Sequence, residues 1–204
     1  MNKEAIINLE KYLFEHKNKP HVAASMMADY IGVIIGVKPS AINHFDATEL
    51  PSIDLVEFNE LIDQAGLKAV FLKQDYIDMG KLTWLEEICV SHDIETAFNL
   101  HQAFTKLHSS MDDIGQTLNQ ETWEESSREI GHLLGYPSTA IEYFITEQDI
   151  ENEERNQLLE RYQFYIHSPK HHEEEYQSYD HKIFQALQDY APKTASFFLP
   201  SRVK

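Results

Sequence analysis

Residues 31–45 read IGVIIGVKPSAINHF, and residues 130–144 read IGHLLGYPSTAIEYF. Set against each other 99 positions apart, without a gap, they are identical at Ile31/Ile130, Gly32/Gly131, Gly36/Gly135, Ala41/Ala140, Ile42/Ile141 and Phe45/Phe144. Ile34/Leu133 and Ile35/Leu134 agree in kind. The flanks match in the same order. Residues 4–9 (EAIINL) resemble residues 95–100 (ETAFNL), and residues 59–63 (NELID) resemble residues 156–160 (NQLLE). Collinear matches of this sort predict an internal duplication, each copy being one structural unit stacked on its twin.

The shared residues belong to a helical corner. Glycine ends a helix in a left-handed conformation, and proline opens the next, where its missing N–H is not needed. Apolar spacing then predicts helices over 3–17, 22–35, 39–45, 53–65 and 81–90 in the first half, with a strand over 67–73. The second half repeats the plan, with helices over 93–109, 120–134, 137–146 and 149–161, a strand over 162–167 and a last long helix over 173–190. The expected fold class is mostly α with minor β, an α+β arrangement of two similar helical halves. They span 1–91 and 92–190, with a tail over 191–204. A lone strand cannot satisfy its own backbone groups. Leu67–Lys73 is therefore expected to pair with Tyr162–His167 near a pseudo-twofold axis.

The chain's 204 residues are 42% hydrophobic, enough for a substantial core. The net charge of −17 argues against direct nucleic-acid binding, which depends on lysine and arginine neutralising phosphates. Scattered acidity serves solubility first, and leaves room for a basic partner, a cation or mimicry of a nucleic acid. The start, MNKEAIINLEKYLF, has acidic residues and helical periodicity rather than a signal-peptide pattern. No apolar run reaches the ~20 residues of a membrane span. Cys89 is the single cysteine, which excludes an internal disulfide and a multi-cysteine zinc site. It is expected to be a buried, inert thiol, and a cytoplasmic location is the simplest reading.

Two constellations are candidates for chemistry. In the second corner, the helix after Pro137 offers N–H groups and a dipole to an anion. Ser138 and Thr139 add hydroxyls there. His132 and Tyr136 stand where the first copy has Val33 and Val37. These four residues are the candidate ligand-binding set, suited to a small anionic ligand held between the halves. Residues 128–145 resemble the LGYP-containing helix–turn–helix segment of several uncharacterised prokaryotic protein families. Those families often place cysteines after the proline, where this chain has Ser138 and Thr139, and the resemblance implies no reaction.

The second constellation is HSPKHHEEE, residues 167–175. On a helix starting near His171, His171 and Glu175 would share one face, with His167 as a third ligand for a divalent metal. No nucleotide-binding glycine loop and no HExxH motif is present. The chain therefore reads as a non-catalytic cytoplasmic binding or protein-interaction protein. The alternatives are a divalent-metal-dependent hydrolase built on His167, His171 and Glu175, and an acidic nucleic-acid mimic that binds a basic protein.

Overall fold

The computed structural model describes residues 2–78, 81–112, 115–146, 164–165 and 167–198. Helices α1 (Lys3–His16) and α2 (Pro20–Ile34) pack together across a short loop. Strand β1 (Ser40–Asp46) follows, then a 3₁₀ turn at Leu50–Ser52 and helix α3 (Leu55–Gln64). Strands β2 (Lys68–Asp78) and β3 (Lys81–Ser91) form a hairpin. Helices α4 (Ile94–Ser109) and α5 (Gln120–Leu133) pack as a second pair, and α6 (Ser138–Thr146) docks on α5. The C-terminal segment comprises α7 (His172–Glu175), a wider π turn at Tyr176–Asp180, α8 (His181–Tyr190) and α9 (Pro192–Ala195). The fold is mostly α with a minor β element. Among the described residues no helix is long and apolar enough to cross a membrane.

Local sequence explains where most helices start. Asn2, Asp54, Asp93 and Asn119 each accept a hydrogen bond from a backbone N–H in the first turn of α1, α3, α4 and α5. Such side chains satisfy donors that the helix itself cannot. Pro20 occupies the first turn of α2 rather than merely ending α1.

The sheet corrects three expectations. Residues 40–46 form a strand, not a helix, and residues 81–91 form a strand where a helix over 81–90 was expected. The sheet order is β1–β3–β2, with both pairings antiparallel. Leu85, Ile88 and Cys89 have helical spacing, but a short apolar run satisfies both periods. Tertiary pairing decided between them, since β3 is the central strand. The third correction concerns β2. It pairs with β3, from Lys68 opposite Ser91 to Asp78 opposite Lys81, and so is not the lone strand of its half that was expected. Most of 162–167 and all of the expected helix 149–161 lie outside the described residues. Phe164 and Tyr165 form a bend.

The two faces of the sheet bury different partners. Ile88 and Val90 join a core built from α1, α2, α3 and α8. Cys89 points the other way, into a smaller cluster with Ala97, Leu100, Ala103, Ile130 and Leu134 of the α4–α5 pair. Burial, reinforced by the Glu87 carboxylate, raises the Cys89 thiol well above its ordinary range. The thiol is thus protonated and inert, as its sequence neighbours suggest. The contacts of the expected second half, 92–190, extend into the first. Helix α8 packs on α1 and α2, and α9 packs on α2, so the chain's end completes the core of its beginning.

The two glycine corners are alike up to a defined point. Gly36 has φ +72° and Gly135 has φ +77°. At the first corner Gly36 N donates to Val33 O (2.9 Å) and Val37 N to Gly32 O (3.0 Å). At the second, Gly135 N donates to His132 O (3.0 Å) and Tyr136 N to Gly131 O (2.9 Å). All four donor–acceptor pairs occupy aligned positions, and both corners are left-handed helix stops. Beyond them the copies part. The first continues as β1 and the second as α6, with one residue more between glycine and proline in the first. The corners also touch. A Cβ on Gly135 would lie 2.7 Å from Val37 O, and Ser40 Oγ donates to Leu133 O at 2.6 Å.

Candidate functional site: an apolar cavity between α4, α5 and α6

Three helices and a corner enclose a cavity of about 330 Å³. Phe104 and Leu107 line it from α4, and Ser127, Ile130 and Gly131 from α5. Ala140, Ile141 and Phe144 line it from α6, with Tyr136 of the corner and Tyr165 completing the wall. Each helix contributes residues three or four apart, which is one face of an α-helix. Gly131 permits the close approach of α5 and α6. A Cβ there would meet Ile141 Cγ1 at 2.7 Å and Cδ1 at 2.8 Å. On the outer side Arg128 binds Glu142 of α6 through Nε (2.8 Å) and Nη2 (3.2 Å), and Trp123 stacks on Phe144 at 6.1 Å. Gly131→Ala is expected to drive Ile141 into the cavity at a cost of about 1–3 kcal/mol. Chemical denaturation would measure the loss, and a stability unchanged from the parent would contradict the packing described.

Behind the cavity lies a buried aromatic and polar layer. Tyr136 stacks on Tyr165 (centroids 5.0 Å apart, interplanar angle 15°), and both meet Tyr179 edge-on. The π turn brings Tyr176, Tyr179 and Asp180 all inward. Tyr165 lies 4.5 Å from the His167 ring. His167 Nε2 is 2.6 Å from Asp180 Oδ2, and both side chains are fully buried. Phe164 N donates to the other Asp180 oxygen at 2.6 Å. On its far side His167 Nδ1 lies 2.7 Å from His172 Nδ1, so one proton sits between the two rings.

Burial raises the phenols of Tyr136, Tyr165 and Tyr179 well above their ordinary range, and neighbouring carboxylates (Asp29, Glu175, Asp180) add to the shift. Their protons are held more tightly in the folded chain than in the unfolded one. Their contribution to stability is therefore complete below the ordinary tyrosine pKa of about 10 and is lost as pH rises above it. In an alkaline titration at 295 nm these phenols are expected to ionise only together with unfolding. Gradual ionisation with intact circular dichroism would contradict this.

Of the seven site residues expected from sequence, Tyr136 lines the cavity. His132 and Ser138 are exposed. Thr139 is exposed as a residue, yet its hydroxyl donates to Glu175 Oε1 at 2.5 Å. Glu175 is 2% exposed, and its other oxygen accepts from Ser168 N at 2.9 Å. An internal carboxylate thus already stands at the start of α6, where an external anion was expected.

The metal set does not converge. His171 caps α7 with non-helical backbone angles (φ −118°, ψ 10°). Its Nδ1 lies 4.0 Å from Glu174 Oε2, and both of these side chains are exposed. His167 is committed to Asp180 and His172, and Glu175 to Thr139 and Ser168. Among the described residues no three His, Cys, Asp or Glu side chains are arranged to hold a metal ion. The site also lies within the second helix group rather than between the halves.

Sequence reading missed the cavity's other nine lining residues because helical periodicity assigns Phe104, Leu107, Ile130 and Ile141 to an ordinary core. One signal was present. Ser127 falls on the apolar stripe of α5 between Trp123 and Ile130, a polar group at an interior position. No protein-family model, curated protein or solved structure matches the chain.

Proposed function

We propose that this chain is a non-catalytic binding protein whose ligand site is the cavity between α4, α5 and α6. The observation that carries this reading is the preformed cavity itself, about 330 Å³ and lined almost wholly by apolar and aromatic side chains. That volume falls in the range of small-molecule sites, ~300–1,000 Å³. A non-catalytic role is supported by the lining's ionisable groups. They are Tyr136 and Tyr165, whose raised phenols supply no base near neutral pH. A cytoplasmic setting fits a lone, buried, reduced thiol. The expected small anion gives way to an apolar ligand, since among the described residues no cation lines the cavity and Glu175 holds the start of α6.

Thermal unfolding with a panel of small apolar probes tests the reading. A saturable rise in Tm is expected, about 2.7 kcal/mol of stabilisation at a hundredfold excess over Kd. Ala140→Leu, which fills part of the cavity, is expected to remove that rise. A panel without any saturable effect would overturn the proposal.

A further inference from the structure

We infer that the ligand of this cavity is an uncharged ring compound bearing one hydroxyl or N–H group, the ring lying among Phe104, Tyr136, Phe144 and Tyr165 and the polar group bonding to Ser127. This rests on the reading of the cavity as a binding site and specifies what enters it.

Three observations converge on that class. The first is shape. Four of the ten lining residues are aromatic, and their planar faces favour a planar guest in offset or edge-on contact. The second is charge. Among the described residues, no lysine, arginine, aspartate or glutamate lines the cavity. Arg128, the basic neighbour of Ser127 in sequence, faces the outside of the α5–α6 contact and is bound by Glu142 and Glu124. An ion entering such a site loses its water and gains no partner, which is prohibitive without pairing. A carboxylate is further opposed by a chain carrying a net charge of −17. An ammonium would find ring faces, but also Leu107, Ile130, Ala140 and Ile141, which cannot solvate it.

The third observation is Ser127. It lies at the cavity, is 9% exposed, and its hydroxyl has no hydrogen-bond partner among the described residues. Its neighbour Ser126 is fully buried and does not line the cavity, although its hydroxyl too has no partner among the described residues. A serine on an apolar stripe adds nothing to packing that alanine would not. Its hydroxyl can instead donate to or accept from one polar group on an otherwise apolar guest. The lining's other hydroxyls belong to Tyr136 and Tyr165, and that of Tyr165 is buried without a partner among the described residues. A compound with more polar groups than these few hydroxyls can meet would leave the rest buried without partners.

Matched naphthalene probes on the full chain test this. Naphthalene, 2-naphthol, 2-naphthoate and 2-naphthylmethylammonium share one ring system and differ in polarity and charge. Binding is read from amide chemical shifts of the parent and of Ser127→Ala, whose fold is checked by circular dichroism. 2-Naphthol is expected to bind most tightly, with both ions at least about ten times weaker. Ser127→Ala is expected to weaken 2-naphthol about three- to tenfold and to leave naphthalene unchanged. Either ion binding as tightly as 2-naphthol overturns the neutral-ligand inference. An unchanged 2-naphthol affinity in Ser127→Ala overturns the role of the hydroxyl. Failure of all four probes, naphthalene included, removes the binding site itself and the inference with it.

Discussion

Asp180→Ala is expected to destabilise the chain by about 2–6 kcal/mol, from roughly 1–3 kcal/mol for each buried donor left without its acceptor. Two donors depend on this carboxylate. Phe164 N reaches one oxygen and His167 Nε2 the other, both at 2.6 Å. The His167 ring cannot turn to water, because its side chain and that of Asp180 are fully buried. The loss propagates to the cavity. Asp180 fixes His167, which lies against Tyr165, and Tyr165 stacks on the cavity-lining ring of Tyr136. Urea unfolding of parent and variant measures the effect. Replacing both His167 and Asp180 with apolar residues should cost less than Asp180→Ala, since no buried imidazole is then orphaned. A change below about 1 kcal/mol for Asp180→Ala would mean that the pair is open to water.

Gly135→Ala is expected to cost about 2–5 kcal/mol, while Gly36→Ala costs only about 1–2 kcal/mol. Both glycines are left-handed, at φ +77° and +72°, so both substitutions incur the same backbone strain. Only Gly135 adds a collision. Its Cβ would lie 2.7 Å from Val37 O and 3.0 Å from Lys38 Cα, backbone atoms that cannot turn aside. At Gly36 nothing lies within 4 Å. The difference between the two midpoints in denaturant isolates the contact between the corners. Equal losses would mean that the corners do not press together as described.

The repeated passage made the helix stops legible. Ile31–Gly36 and Ile130–Gly135 carry the apolar steps and the glycine that such a stop requires, and the backbone hydrogen bonds agree position by position. It misled immediately afterwards. Ser40–Asp46 and Ser138–Thr146 both follow a proline and share Ala-Ile and Phe, yet one is a strand and the other a helix. The deciding contact is non-local, since β1 pairs along its whole length with β3, from Ser40 opposite Ser91 to Asp46 opposite Leu85. Strand β3 was hidden for a related reason, as its apolar run fits either period until its two partners are known.

The site was less legible than the fold. Tyr136 stood out because the second copy has an aromatic ring where the first has valine. His167 and Glu175 stood out as a metal-like pair, but their partners, Asp180 and Thr139, are distant in sequence. Helical spacing placed His171 beside Glu175 only if His171 was itself helical. It is instead the N-cap residue, with non-helical backbone angles. A cavity has no sequence signature of its own, because the same Phe, Ile and Leu positions serve a filled core equally well.

Amide chemical-shift mapping with 2-naphthol on the uniformly labelled chain tests the central claim most directly. Saturable shifts are expected at Phe104, Leu107, Ser127, Gly131, Ile141 and Phe144, which line the cavity from three separate helices. Exposed His132 and Ser138, which lie off the cavity, should move little. Shifts that do not saturate, or that cluster around His132, Ser138 and His171 instead, would contradict the assignment of the cavity as the binding site.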